Sequence, residues 1–167
     1  PQGEFQAPPG AKNAPSGLGA EIAYTLRVPK EFTAVESGVN RELPVQSGVQ
    51  HLLAEYLSPS DHTSLHSYVR VRAEKMLHAV PLIDWVQKYA LDQRVTFHAL
   101  TVHGADRVET LHVTTQGNNS VVIRTAFVMN GDQILVAEYG VPAERFEQEK
   151  DMQTWVVASF YPPQKVQ

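Results

Sequence analysis

Residues 119–160 read NSVVIRTAFVMNGDQILVAEYGVPAERFEQEKDMQTWVVASF. Asn130-Gly131 separates two apolar runs, Val121–Met129 and Ile134–Tyr139. An Asn-Gly pair readily takes the positive φ values of a type I′ turn, whose twist matches paired strands. A loop at those two residues sets Phe127 opposite Ile134 and Thr125 opposite Val136. Ile123, Phe127, Ile134 and Val136 then share one face, while Val122, Ala126, Val128, Leu135 and Tyr139 share the other. A ribbon apolar on both faces belongs inside a sheet covered on both sides. Val141-Pro142 ends the second strand, and proline suits a first helical turn, where its missing N–H goes unused. Glu144 and Glu147 favour the positive end of a helix dipole. Met152, Trp155, Val156, Ser159 and Phe160 follow the rhythm of one helical face. The stretch therefore predicts a central hairpin feeding an amphipathic helix that packs back on its own sheet.

The rest of the chain extends this pattern in both directions. Arg94–His103 and Arg107–Thr115 read as strands joined by Gly104-Ala105-Asp106, and Gln116-Gly117-Asn118-Asn119 makes the next turn, so 94–140 is an antiparallel meander. Pro81–Asp92 carries Leu82, Trp85, Val86, Tyr89 and Ala90 on one helical face and supplies the second covering helix. In Ser67–Glu74 the side chains alternate: Val69, Val71 and Ala73 point inward, and Tyr68, Arg70, Arg72 and Glu74 outward. Ile22–Val28 alternates as a half-buried strand, with Phe32–Val35 a short return. Ser37–Ser47 and Ser58–Ser64 have loop chemistry. Val49–Leu57 fits a helical face or a short strand.

Residues 1–19, rich in Pro, Gly and Ala, bury too little apolar surface to offset their ordering entropy and read as a flexible linker. Residues 20–161 form a single domain and 162–167 a tail. The 167 residues suffice for one core, and the net charge of −4 with a pI near 6.0 lacks the basic footprint of a nucleic-acid binder. No run approaches the roughly 18 apolar residues of a membrane span. The absence of cysteine excludes disulfides, thiolate metal sites and cysteine nucleophiles. The chain begins at Pro1 rather than methionine, which reads as a processed or trimmed form, and residues 1–19 read either as a disordered terminus or as a tether to a removed anchor.

Three constellations bear on chemistry. The Gly104-Ala105-Asp106 loop sets His98 directly opposite His112, with Cβ atoms about 5 Å apart. Two cross-strand imidazoles are half of a closed zinc site, and nothing fixed in the sequence supplies the rest. The pair reads first as polar-face residues, with a metal site as the alternative. Glu138 lies on an otherwise apolar strand face, where a carboxylate either meets a basic partner or has a raised pKa suited to acid–base work. Tyr68, Arg70 and Arg72 form an arginine–tyrosine stripe, the residue types enriched at interface cores, and are the candidate partner-binding residues. No nucleophile elbow, phosphate loop or dinucleotide fingerprint is present.

Several segments together resemble the PsbP-like superfamily: Glu55-Tyr56-Leu57-Ser58-Pro59, Ser67–Glu74, Asp84-Trp85, Asp132–Ala137, Val141–Phe146 and Ala158-Ser159-Phe160. That superfamily includes photosystem II extrinsic subunits, Ran-binding transport factors of the same fold and bacterial DcrB-type envelope proteins. The resemblance covers roughly residues 20–161 and rests on the order of elements more than on exact residues. It implies an α+β fold: an α/β/α sandwich with a central, mainly antiparallel sheet of about six strands flanked by two main helices. It also favours a strand for Val49–Leu57. It carries over no catalytic residue and no cofactor. By analogy it implies a non-enzymatic binding or assembly domain of a bacterial cell envelope, periplasmic or outer-membrane-associated, with a protein partner in an envelope complex and membrane contact only through the removed anchor. A lipoprotein or secretion accessory would fit. The alternative is a small-molecule or metal-binding accessory protein using the sheet and the His98/His112 pair, and an enzyme comes third.

Overall fold

The computed structural model describes residues 11–13, 24–35, 42–45, 48–60 and 65–162. The expected linker falls outside these residues except for Ala11–Asn13, and the expected tail falls outside them except for Pro162.

Among the described residues ten strands and two helices follow in chain order: β1 (Ala11–Asn13), β2 (Arg27–Pro29), β3 (Thr33–Ala34), β4 (Glu42–Val45), β5 (Gly48–Leu57), β6 (Tyr68–Met76), α1 (Leu82–Gln93), β7 (Phe97–Val102), β8 (Arg107–Gln116), β9 (Asn119–Asn130), β10 (Gln133–Pro142) and α2 (Phe146–Ala158). A 3-10 turn, Ala143–Arg145, leads into α2. The main sheet is open, with strand order β3-β5-β6-β10-β9-β8-β7, and every neighbouring pair is antiparallel. β4 also pairs with β5, which makes a strand of part of the segment expected to be a loop. β1 pairs with β2 outside the main sheet.

The central hairpin forms, with a different loop. Gln133 pairs with Asn130, Ile134 with Met129 and Val136 with Phe127, so the loop is Gly131-Asp132 rather than Asn130-Gly131. Only Gly131 has a positive φ, of 66°. Glycine at the first central position is the pattern of a type II′ turn, which suits hairpins as well as type I′ does. The β8–β9 turn repeats this, with Gly117 at φ 63° between Gln116 and its partner Asn119. Moving the loop by one residue changes every partner yet keeps every side chain on its face, because faces alternate with period two.

Both faces are covered. On one, Trp155, Val156 and Val157 of α2 and Phe160 just beyond it share a cluster with Val71, Ala126, Val128, Leu135 and Tyr139. Tyr24, Leu26 and Val28 are buried in the same cluster while Thr25 and Arg27 are exposed, the alternation expected for this strand. Thr25 exchanges backbone hydrogen bonds with Tyr161, which ties the segment to the end of α2. On the other face, α1 lays Leu82, Trp85 and Val86 on Val108, Phe127, Ile134 and Val136. A helix of 12 residues is only about 18 Å long, whereas the 12 residues of β9 extend about 40 Å. So α1 covers one end of its sheet face and leaves the other end uncovered.

Candidate functional site: a polar pocket beside helix α1

Three cross-strand rows build the α1 face where the helix runs out. One runs Leu57, Tyr68, Gly140, Ile123, His112, Phe97; the next Glu55, Arg70, Glu138, Thr125, Thr110, Leu100; the third Leu52, Arg72, Val136, Phe127, Val108, Val102. α1 sits on the third row, and the middle row is polar from Glu55 to Thr110. A pocket of about 260 Å3 opens over these rows, lined by Tyr68, Arg70, Arg72, His112, Thr114, Ile123, Thr125, Phe127 and Glu138 from the strands. Tyr89, Gln93 and Val95 close it from the end of α1. Arg94 adopts the left-handed conformation at φ 55°, and the N–H of Val95 donates to the Ala90 carbonyl at 2.7 Å. That cap stops the helix beside the pocket instead of over it.

The arginine–tyrosine stripe alternates as expected, but it does not face open solvent. Tyr68 is 5% and Arg72 4% exposed, and only Arg70 is half-exposed. Arg72 lies on the row that α1 covers, and Tyr68 packs with Val121, Ile123 and Leu57 in a small cluster of its own. The Tyr68 ring rests over Gly140, where an added Cβ would come within 2.3 Å of the ring's Cζ. The Arg70 guanidinium stacks on that ring with its centre 4.1 Å from the centroid. It is ion-paired to Glu55, directly opposite on β5. A second pocket of about 240 Å3, with Leu57, Leu65, Val121 and Pro142 in its lining, also borders Tyr68 and Arg70.

Arg72 is tied twice. Its Nε donates to Glu74 Oε1 at 3.1 Å and its Nη1 to Glu138 Oε1 at 3.0 Å. Burial alone would lower its pKa, but the carboxylates of Glu138 and Glu74 outweigh burial and hold the guanidinium charged. Glu138 thus meets a basic partner, the structural role weighed for it from the sequence. Removing Arg72 would take the cation away from two carboxylates, one of them buried, whereas removing Glu138 would leave Arg72 with Glu74 alone.

The histidine pair does not form as expected. The β7–β8 register follows the predicted loop from Val102 opposite Val108 to Ala99 opposite Leu111, then a bulge intervenes and Phe97, not His98, stands opposite His112. The bulge brings the Phe97 ring edge-on to His112, centroids 5.9 Å apart, and packs Phe97 against the α1 core. Burying that ring favours the slip, and it leaves His98 exposed. Among the described residues no three or more His, Cys, Asp or Glu side chains come together as a metal site would require. His112 is 9% exposed, and its Nδ1 has no hydrogen-bond partner among the described residues. Its pKa is lowered by burial, with Arg72 and His98 adding to the effect and Glu138 opposing it, so the imidazole is neutral at neutral pH.

The structure thus gathers Tyr68, Arg70, Arg72 and His112 in one pocket and leaves His98 outside its lining. Sequence reading missed Tyr89 and Gln93 as site residues because they lie on the helix read only as a cover. It missed Thr125 because the expected register set it opposite Val136 rather than Glu138. The one signal available was Glu138, a carboxylate amid apolar neighbours.

No family model matches the chain, and no curated protein matches it in sequence. Solved structures do. LpqN of Mycobacterium tuberculosis, described as involved in cell envelope biogenesis, superposes with a TM-score of 0.58 at 8% identity, covering 92% of each chain. A structure from Bacteroides thetaiotaomicron matches at 0.48 and 12% identity, over 85% of this chain and 46% of that one. Cyanobacterial PsbP from Synechocystis matches at 0.47 and 9%, over 96% of each. The last two similarities are too low to carry an argument, and the LpqN match bears on fold alone. The open antiparallel sheet with a helix on each face agrees with the PsbP-like resemblance in the sequence, and the chain shares the fold of LpqN.

Proposed function

We propose that the chain is a non-enzymatic binding domain of a bacterial cell envelope and that recognition centres on Tyr68, Arg70 and Arg72. The observation that carries this reading is the state of the charged groups in the pocket. Arg70 is committed to Glu55, and Arg72 to Glu74 and Glu138. Such a network holds side chains in fixed positions, as recognition requires, and supplies no activated nucleophile. The envelope setting is an analogy to LpqN and rests on fold. Arg70 is the accessible member of the stripe, with Tyr68 and Arg72 shaping the surface it presents.

The test places a photo-crosslinking residue at the exposed Gln93 in the tagged full-length protein, expressed in its own host. The expected outcome is a discrete protein adduct in the envelope fraction, reduced by Arg70→Ala. A protein confined to the cytosol, or an adduct untouched by Arg70→Ala, would overturn the reading. A second reading, a small-molecule-binding accessory protein using the same sheet face, is favoured by one observation: the pocket holds a buried imidazole nitrogen with no hydrogen-bond partner among the described residues.

A further inference from the structure

We infer that the pocket beside α1 is a binding site for a single uncharged sugar ring, with His112, Glu138, Arg70 and Gln93 as its polar contacts. This deepens the small-molecule reading and rests on it.

The argument begins with charge. Two guanidiniums and three carboxylates meet here, every guanidinium is already paired, and Arg72 and Glu74 are buried. An anionic ligand would sit against the carboxylates and a cationic one against the guanidiniums, each in a partly desolvated site where the repulsion is poorly screened. An uncharged ligand meets neither cost. It must still hydrogen-bond, because the pocket contains the Nδ1 of His112, unpartnered among the described residues, a second carboxylate oxygen of Glu138 and the amide of Gln93. Those groups include both donors and acceptors. A hydroxyl donates and accepts at once, so several hydroxyls on one ring satisfy such a mixed set better than an amide or a carbonyl does.

Shape agrees. Ile123, Phe127, Tyr89 and Val95 give the pocket an apolar wall for the C–H faces of a ring, with polar groups in a few places, the usual division of labour in a ligand site. The volume of about 260 Å3 suits one ring rather than a chain of them. The pocket is half open beside α1, so a free sugar and the terminal unit of a longer glycan would present the same chemistry to it.

The experiment is a titration of the isotopically labelled full chain, followed by amide chemical shifts. The probes are methyl glucoside, methyl mannoside and methyl galactoside, the disaccharides that end in the same units, and glucuronate and glucosamine as charged controls. The expected result is saturable shifts confined to Gln93, Thr114, Ile123 and their neighbours for at least one neutral sugar, with weaker effects from both controls. Shifts from the matching disaccharide as well assign the site to a glycan terminus, and shifts from the monosaccharide alone assign it to free sugar. Gln93→Ala, at an exposed position, should weaken binding about fivefold, the factor of one ordinary hydrogen bond. Thr114→Trp, at the half-buried rim, should fill the pocket and abolish the shifts without altering the fold's spectrum. No localised shift from any neutral sugar, a stronger response to a charged control, or shifts that survive Thr114→Trp would each overturn the proposal. The two tests fail separately: an in-cell adduct with no sugar response sinks the sugar site alone, and the reverse sinks the protein-partner reading alone.

Discussion

Gly140 and Tyr68 are opposite each other on β10 and β6, and the glycine exists to receive the ring. A glycine within a strand weakens it unless something packs into the space it leaves. Here an aromatic ring fills that space and carries Arg70 on its outer side. Gly140→Ala should push the ring off the sheet, with an overpacking cost of about 1–3 kcal/mol and a melting temperature several degrees lower. An unchanged thermal midpoint would mean the ring does not lie there. His112 makes the other prediction at this scale. Its folded pKa lies below the unfolded value near 6.5, so the unfolded chain takes up a proton first as pH falls. The stability conferred by the neutral imidazole is therefore fully present above about pH 6.5 and is lost as pH drops through the folded pKa. Glu138, Arg72 and His98 are the charged or titratable groups that act on it. Melting curves at neutral and mildly acidic pH should show a larger loss for the native protein than for His112→Gln, and equal losses would remove His112 as the cause.

Among the elements, α2 ties several distant parts of the fold together. Its apolar side packs on β9 and β10, and the buried Gln153 donates from Nε2 to the carbonyls of Val122 and Tyr139 at 3.1 and 2.9 Å. At its first turn, Glu149 accepts hydrogen bonds from Ser67, Tyr139 and Arg145. At its last, Arg107 reaches from β8 to the carbonyls of Phe160 and Val157, satisfying groups that a helix end leaves open. Trp155 is buried there, with Arg27 over its ring. Trp155→Ala should cost about 3–5 kcal/mol, the scale for a large aromatic truncated in a core. Denaturant titration would read this as a lower midpoint, and an unmoved midpoint would mean α2 contributes little to the core. By contrast, α1 rests on a smaller cluster and ends early, which is why the pocket lies on its side of the sheet.

The described residues form two main cores separated by one sheet, with a smaller cluster of Tyr68, Val121 and Ile123, and β9 and β10 contribute alternate residues to both main cores. Neither core can lose its strands without dismantling the other, so the domain should unfold as one unit. Trp85 and Trp155 report on opposite faces. Fluorescence-detected denaturation of Trp155→Phe, which keeps Trp85, and of Trp85→Phe, which keeps Trp155, should each give a transition that coincides with that variant's circular dichroism curve. A fluorescence change that precedes loss of secondary structure would show that one face melts separately.

The sequence by itself determined which residues face which side. Alternation in β6, β9 and β10 and the helical spacing in α1 and α2 depend only on backbone geometry and the drive to bury apolar surface, and both are local. A sheet apolar on two faces with a helix for each follows from that. What it left open was which strand residue stands beside which. Asn130-Gly131 and Gly131-Asp132 are both acceptable turns, and the choice between them moves Glu138 from Ile123 to Thr125. Likewise, no local rule places a bulge between Phe97 and Ala99; burying Phe97 against the α1 cluster decides it and takes His98 away from His112. The polar row from Glu55 to Thr110, and with it the pocket, exists only in the final register. The burial of Tyr68 and Arg72 was likewise hidden, because alternation says that a side chain points away from one core and not what waits on the other side. Register and covering are set by contacts between residues far apart in the chain, and those energies are fixed only when the whole sheet is assembled.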